Sequence, residues 1–264
     1  MKLKSLCKLV CVLAASSILL TACSGGENVK IKSAADLTGK IIGVQSGTTG
    51  ADYVKKNVKD AQEKEYKTGM DAILDLKNKR LDAIVLDSAP AQRLVAANSG
   101  LKVLDTPLTN EEYAIAMPKG SGTLVAQVND ALKALKADGT YDKLLAHYVT
   151  QTDKTAPTLP TVDSADTLTV ATAADFPPFE SKDDSGKIVG FDVALMTCVG
   201  AKLGKKVKFV DTDFNAVLLQ LSSGKADMAM SGITVTDERK KNVDFSDSYY
   251  TASQVIIVRE AEAK

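Results

Sequence analysis

The sequence predicts an α/β protein built as two lobes, and three observations lead there. Short β-branched runs alternate with helix-spaced segments along the chain. A stretch rich in Thr, Pro and Asp, with no helical period, breaks that alternation past the middle. The parts on either side of the break repeat a common pattern. Such alternation predicts helices layered on mostly parallel sheets.

Four runs read as buried strands: Ile41-Ile42-Gly43-Val44, Ala83-Ile84-Val85-Leu86, Leu168-Thr169-Val170-Ala171 and Val207-Lys208-Phe209-Val210. Apolar residues at helical spacing predict helices over Met70 to Asn78 and over Leu124 to Leu135. Residues 150–166 read as a linker. The internal echo pairs Leu76 to Val85 with Leu221 to Met230. Each runs from a helix end through a turn to an Asp and a strand.

The start of the chain reads as an address. Lys2, Lys4 and Lys8 precede an apolar run from Leu9 to Leu20 that is too short to span a bilayer. The run ends in Leu20-Thr21-Ala22-Cys23, which resembles the bacterial lipoprotein box. That resemblance implies cleavage after residue 22 and lipid on Cys23, so the protein would be held at a membrane surface with nothing spanning it. Loss of Cys7 and Cys11 with the leader leaves Cys198, read as a small core residue. The whole chain balances 33 basic against 33 acidic side chains, and losing the three leader lysines makes it mildly acidic. This argues against a nucleic-acid partner. The residues that remain suffice for two domains of about 100 residues each.

Three stretches carry a family resemblance. The first is Val170-Ala171-Thr172-Ala173-Ala174-Asp175-Phe176-Pro177-Pro178-Phe179-Glu180, with Gly190-Phe191-Asp192-Val193. The second runs from Asp213-Phe214 through Gly224-Lys225-Ala226-Asp227 and Ser231-Gly232-Ile233-Thr234-Val235-Thr236-Asp237-Glu238-Arg239 to Tyr250. The third is Gly43-Val44-Gln45-Ser46-Gly47-Thr48-Thr49-Gly50, with Asp82 to Ser88. Together they resemble the polar amino-acid-binding proteins of ABC importers, solute-binding family 3. The resemblance implies a two-lobed, periplasmic-binding-protein-like (type II) fold with a ligand cleft between the lobes. The order is unusual for the family, where the Phe176–Arg239 half comes first. Here the Gln45–Asp87 half leads, which looks like a circular permutation. Residues 150–166 would join the old termini, spanning about 20–25 Å.

The expected division is a signal peptide over 1–22, a tether over 23–33, the family's second lobe over 34–107 and helices returning to the first lobe over 108–149. The linker at 150–166, the first lobe over 167–258 and a tail near the hinge over 259–264 complete it. One covalent crossing is expected near Leu104 to Glu112. The other is expected to be opened, with both termini at the hinge and the lipid tether leaving from the second lobe.

A free amino acid carries a carboxylate, an ammonium and a side chain, and burying either charge unpaired costs several kcal/mol. The resemblance implies a partner for each. Arg239, in a polar turn opening a helix, offers a rigid fork for the carboxylate. Gly232 permits close backbone approach there, Thr234 adds a hydroxyl, and Thr49, following Thr48, is expected to bring a donor from the other lobe. Asp87, at the end of a strand, is expected to receive the ammonium, although the helix following it makes an N-cap role the competing reading. Phe176 and Phe214 resemble the aromatic pair that sandwiches the ligand. Gln45 stands where relatives read the ligand side chain. Ala173 stands where several receptors for basic amino acids have an acid, while Asp175 and Glu180 can supply negative charge instead. The expected ligand is a polar free amino acid, glutamine-like or basic.

No cofactor or metal is expected, and the partners implied are the importer's membrane subunits and the membrane surface, with the chain a monomer on the extracytoplasmic face. A cleft enzyme of the same fold, dehydratase- or lytic-transglycosylase-like, would need a positioned acid or base. The only histidine, His147, falls in a late helix away from the inferred site, and Glu180 is the carboxylate to test. A sensor domain delivering its ligand-bound form to a signalling partner is the third reading.

Overall fold

The structure is a computed structural model that describes residues 30–263, so the expected leader and Cys23 lie outside the described residues. Among the described residues no helix is long and apolar enough to cross a membrane.

The second lobe comes first in the chain. Its strands are β1 (Ile41–Gln45), β2 (Gln62–Tyr66), β3 (Ala83–Asp87) and β4 (Leu101–Val103), alternating with α1 (Thr49–Asn57), α2 (Gly69–Lys77) and α3 (Ser88–Ala97). Strand β3 is buried at every position, as an inner strand covered on both faces must be. Strand β2, Gln-Glu-Lys-Glu-Tyr, sits at the sheet edge, where its charges are solvated and discourage further pairing. Thr48 and Thr68 cap α1 and α2, accepting from the N–H groups of Ala51 and Asp71.

The chain crosses through β5 (Glu111–Tyr113) into the first lobe. There it forms β6 (Ala116–Pro118), α4 (Gly122–Ala137) and α5 (Thr140–Leu144), with a last helical turn over Leu145–Val149. Residues 150–166 contain no strand or helix. The first lobe continues as β7 (Thr167–Thr172), the small sheet of β8 (Asp175–Phe176), β9 (Glu180–Lys182) and β10 (Ile188–Val189), then α6 (Phe191–Lys202) and β11 (Lys206–Asp211). It ends with α7 (Phe214–Ser222), β12 (Met228–Ala229), α8 (Asp237–Lys240) and β13 (Val243–Phe245). Then β14 (Tyr250–Ala252) leads to β15 (Gln254–Arg259). The large sheets have the orders β2-β1-β3-β15-β4 and β11-β7-β12-β6-β13.

Two expectations need correction. Strand β15 does not belong to the first lobe: it lies in the second-lobe sheet, antiparallel between β3 and β4. The chain therefore crosses between lobes twice, and the two crossings pair as an antiparallel ladder of β5 with β14. The ends of the described chain also avoid the hinge. Ile31 donates its N–H to the Glu262 carbonyl at 3.1 Å, so these ends of the described residues are neighbours. That contact lies beyond Arg259, whose guanidinium reaches the Leu81 carbonyl at 2.6 Å, just before β3 begins. A six-residue strand separates it from the cleft, on the order of 20 Å. Gln254–Val258 reads as a buried strand that either sheet could accept, and only the pairing with β3 assigns it.

One apolar cluster in the second lobe joins Ile31, Leu37 and Val54 to Ile256 and Val258. Another, in the first lobe, holds Ala171, Val217, Ala229 and Ile233. The largest spans both lobes and includes Tyr113, Ala252 and Val255 of the crossings. Cys198 belongs to it and is buried, and burial raises its thiol pKa. The short opening Ala34–Leu37 turn buries Leu37 completely, which anchors the N-terminal end on the second lobe.

Candidate functional site

The C-terminal ends of β1 and β3 face the loops that follow β7 and β12. Between them lies a narrow cavity of about 10 Å³. The second lobe lines it with Gln45, Thr48, Thr49 and Asp87. The first lobe lines it with Phe176, Phe214, Gly232, Thr234 and Arg239. All the residues singled out from the sequence for the ligand thus converge on one cavity, save Asp175, which stands behind Gln45 and accepts its side-chain N–H at 3.3 Å.

Asp87 occupies the N-cap position of α3, yet its side chain makes no capping bond. It accepts a hydrogen bond from the Tyr113 hydroxyl instead. The competing capping role is therefore not the one its carboxylate plays. Burial raises Asp87 to about 6, with the nearby Glu111 adding to the rise and the Tyr113 and Gln254 donors opposing it. Asp175 is likewise raised to about 6 by burial, against the stabilising bond from Gln45.

Arg239 emerges from α8, where the Thr236 side chain accepts from its main-chain N–H at 3.2 Å. Its guanidinium donates to two carbonyls rather than to a carboxylate: Thr234 at 2.8 Å in its own lobe and Gly47 at 3.1 Å in the other. N–H groups of its fork remain for a further acceptor. The guanidinium carbon stands 5.6 Å from the Phe214 ring centroid, a cation–π arrangement that fixes both groups. Burial lowers the Arg239 pKa, while Asp87 and Glu111 work against that.

Gly232 has φ of +52°, and a Cβ there would stand 2.7 Å from the Phe176 ring. Its N–H is taken by Asp192 at 3.0 Å, so its carbonyl is the group left for a ligand. Phe176 is buried and stacks on Phe179 with centroids 6.0 Å apart.

Three residues missed in the sequence come from the crossings. Glu111 is buried and accepts hydrogen bonds from the hydroxyls of Thr49 at 2.8 Å, Thr234 at 2.7 Å and Thr109 at 2.8 Å. It ties one candidate threonine from each lobe to the hinge. The Thr49 hydroxyl proton, expected for a ligand carboxylate, is thereby engaged by Glu111. The Thr49 and Thr234 oxygens present lone pairs to the cavity, so both hydroxyls are acceptors there. Donors for an anion on that side come from main-chain N–H groups of the first turn of α1. Gln254 donates to Thr49 at 3.2 Å, and Tyr113 holds Asp87. The sequence offers only a polar Thr-Asn-Glu-Glu in a loop as a signal for Glu111, indistinguishable from a solvated turn.

Glu180, considered as an acid–base group, is fully buried and does not line the cavity. The two walls touch: Lys67 and Asp213 pair across the cleft at 2.7 Å, alongside the Gln45–Asp175 and Arg239–Gly47 bonds.

Comparison with known proteins adds the following. Residues 168–264 match the bacterial extracellular solute-binding proteins, family 3. The chain is similar to the arginine-binding extracellular protein ArtP of Bacillus subtilis, 45% identical over 93 residues, 35% of this chain and 36% of the relative. It is also similar to the ABC transporter arginine-binding protein 1 of Escherichia coli, 34% identical over 125 residues, 46% of this chain and 51% of the relative. Among solved structures, an ancestral arginine-binding protein bound to arginine is 52% identical over 32% of this chain and 37% of that one, with a TM-score of 0.32. The chain thus spans about a third to a half of the length of these relatives. The matched segment contributes the first-lobe wall of the cavity and the return strand β15.

Proposed function

We propose that the protein captures a free amino acid between its lobes and delivers it to the membrane subunits of an ABC importer. The observation that carries this reading is the meeting of Asp87 from one lobe and Arg239 from the other on a single cavity flanked by Phe176 and Phe214. An ammonium placed between Asp87, the Gly232 carbonyl and the Thr234 oxygen has three acceptors. A carboxylate at the Arg239 fork and the start of α1 has donors from both lobes. Each lobe alone offers half of this set, so a ligand with both charges favours the closed arrangement.

The preferred ligand in this reading is an amino acid with a cationic side chain. Asp87, Glu111 and Asp175 outnumber Arg239 around the cavity, and Asp175 supplies negative charge where Ala173 lacks it. The names of several relatives, arginine- or histidine-binding, agree. Capture rather than catalysis is supported by the same relatives and by the position of Glu180 away from the cavity.

In this reading the chain is a circular permutant. The second lobe precedes the family 3 segment, and residues 150–166 join the helical turn at Leu145–Val149 to β7. The cut falls beyond β15, at the far end of the second lobe. Lipid on Cys23 would then tether the protein by that end, on the extracytoplasmic face, with the cleft free.

A thermal-shift screen of the twenty amino acids tests the proposal. Arginine, lysine or histidine should raise the melting temperature by mass action, and glutamine should do so less. No response to any amino acid would remove the central claim, while a response to glutamine alone would keep capture and reverse the ligand class.

A further inference from the structure

Behind the Gly232 wall sit two carboxyl groups, Glu180 of β9 and Asp192 in the first turn of α6, both with 0% exposure. Neither lines the cavity. Asp192 Oδ2 accepts from the Gly232 N–H at 3.0 Å and from the Tyr249 hydroxyl at 2.7 Å. Glu180 Oε1 accepts from the Ser231 hydroxyl at 2.7 Å. Ser231 Oγ also accepts from the Ala173 N–H at 3.0 Å, which leaves its hydroxyl proton for Glu180. One carboxyl group thus holds Ser231 and the other holds Gly232.

Their remaining oxygens, Glu180 Oε2 and Asp192 Oδ1, are buried and have no partner among the described residues. The two groups are within hydrogen-bonding reach of each other. With no cation beside them among the described residues, two ionised carboxylates here would leave two buried charges unpaired. One proton between Oε2 and Oδ1 satisfies both orphan oxygens. Asp192 receives two donors and Glu180 receives one, so the charge is better placed on Asp192 and the proton on Glu180.

We propose that Glu180 is a neutral acid donating to Asp192, and that this buried pair positions the Ser231–Gly232 step so that the Gly232 carbonyl faces the ligand. Both residues are positioning residues. Burial raises Glu180 well above the ordinary carboxyl range and Asp192 to about 6, the order that the donor count gives. The role in ligand placement rests on the amino-acid reading above. The protonation of the pair does not.

Two measurements on the full chain test it. The first is the infrared carbonyl stretch of an un-ionised carboxylic acid at neutral pH, shifted by deuteration. It should be present in the wild type and absent from Glu180→Gln; its absence from the wild type would overturn the proposal. The second is L-arginine affinity by calorimetry. Glutamine can accept from Ser231 with its oxygen and donate to Asp192 with its nitrogen, as the neutral acid does. Glu180→Gln should therefore bind within about threefold of wild type, while Glu180→Ala should lose on the order of tenfold or more. Equal losses in both variants would overturn the assignment of the proton. Should Glu180→Ala fail to fold, the infrared band and the Gln variant still decide. Should the wild type bind no L-arginine, the capture reading loses its preferred ligand, and the band alone judges the pair.

Discussion

The two lobes share a plan and differ in chemistry. Their sheets have equivalent orders, with three parallel strands, a fourth that arrives directly from the other lobe (β15 or β6), and an edge strand beyond it. Even a local device repeats: Asp82 accepts from the Ile41 N–H and Asp227 from the Thr169 N–H, each at 2.8 Å. The cavity walls diverge. The second-lobe wall is built from strand ends and a helix start, and presents Asp87 and acceptor oxygens. The first-lobe wall is built from loops after β7 and β12, and presents an aromatic pair, a bent glycine and a guanidinium. A repeated scaffold therefore makes complementary halves, because the sheets fix only where the walls stand while the loops choose their charges.

The sharpest way to break this comparison is to remove one charge from each wall. Asp87→Ala and Arg239→Ala should each weaken amino-acid binding by about 2 kcal/mol or more, roughly thirtyfold, by calorimetry. Equal affinity in both variants and the wild type would dissolve the division of labour. Next is Gly232→Ala, whose new Cβ would meet Phe176 at 2.7 Å with φ at +52°. It should lower the melting temperature and the affinity together, by about 1–2 kcal/mol each. A variant that keeps both would show that the aromatic wall can yield.

A pH series distinguishes the walls by titration. Asp87 is raised to about 6, so in the unliganded protein it gains its proton as the pH falls through that value. A cationic group binds the ionised form. Affinity should be flat above about pH 7 and fall below pH 6 by up to about tenfold per unit, a dependence that Asp87→Asn removes. The opposite slope would place an anion beside Asp87. Phe214→Ala should act more weakly: it loses the cation–π contact with Arg239 at a cost of about 0.5–1.5 kcal/mol in affinity. The smallest effect is expected from reversing the chain order. Joining Glu262 to Ile31, already bonded at 3.1 Å, and opening 150–166 should leave affinity within about twofold. Large loss of folding would mean that the order itself is needed.

Much of the architecture was legible locally. Ala83–Leu86 announced a buried strand and Met70 to Asn78 announced α2, because burial periodicity is a property of neighbours in sequence, whereas Val207–Val210, read as buried, forms the edge strand β11 with no buried position. Edge strand β2 escaped notice because its charged residues have no apolar alternation to report. The cavity residues and the crossing near Glu111 were legible through a resemblance, while the inference that the second crossing is opened failed because β14 and β15 carry the chain back to the second lobe.

The sequence by itself determined the α/β alternation, the linker, the repeated lobes and the identities of Asp87, Arg239, Phe176 and Phe214 as a candidate set. Tertiary structure alone decided which sheet takes β15, that the chain crosses twice, and that Glu111 gathers a threonine from each lobe. It alone revealed that Glu180 and Asp192 meet behind Gly232. The physical reason is common to all four. Each depends on groups brought together from separate elements or across the lobes, or on a choice between two equally apolar sheets, and no local period encodes which partner a buried strand or carboxyl group will find.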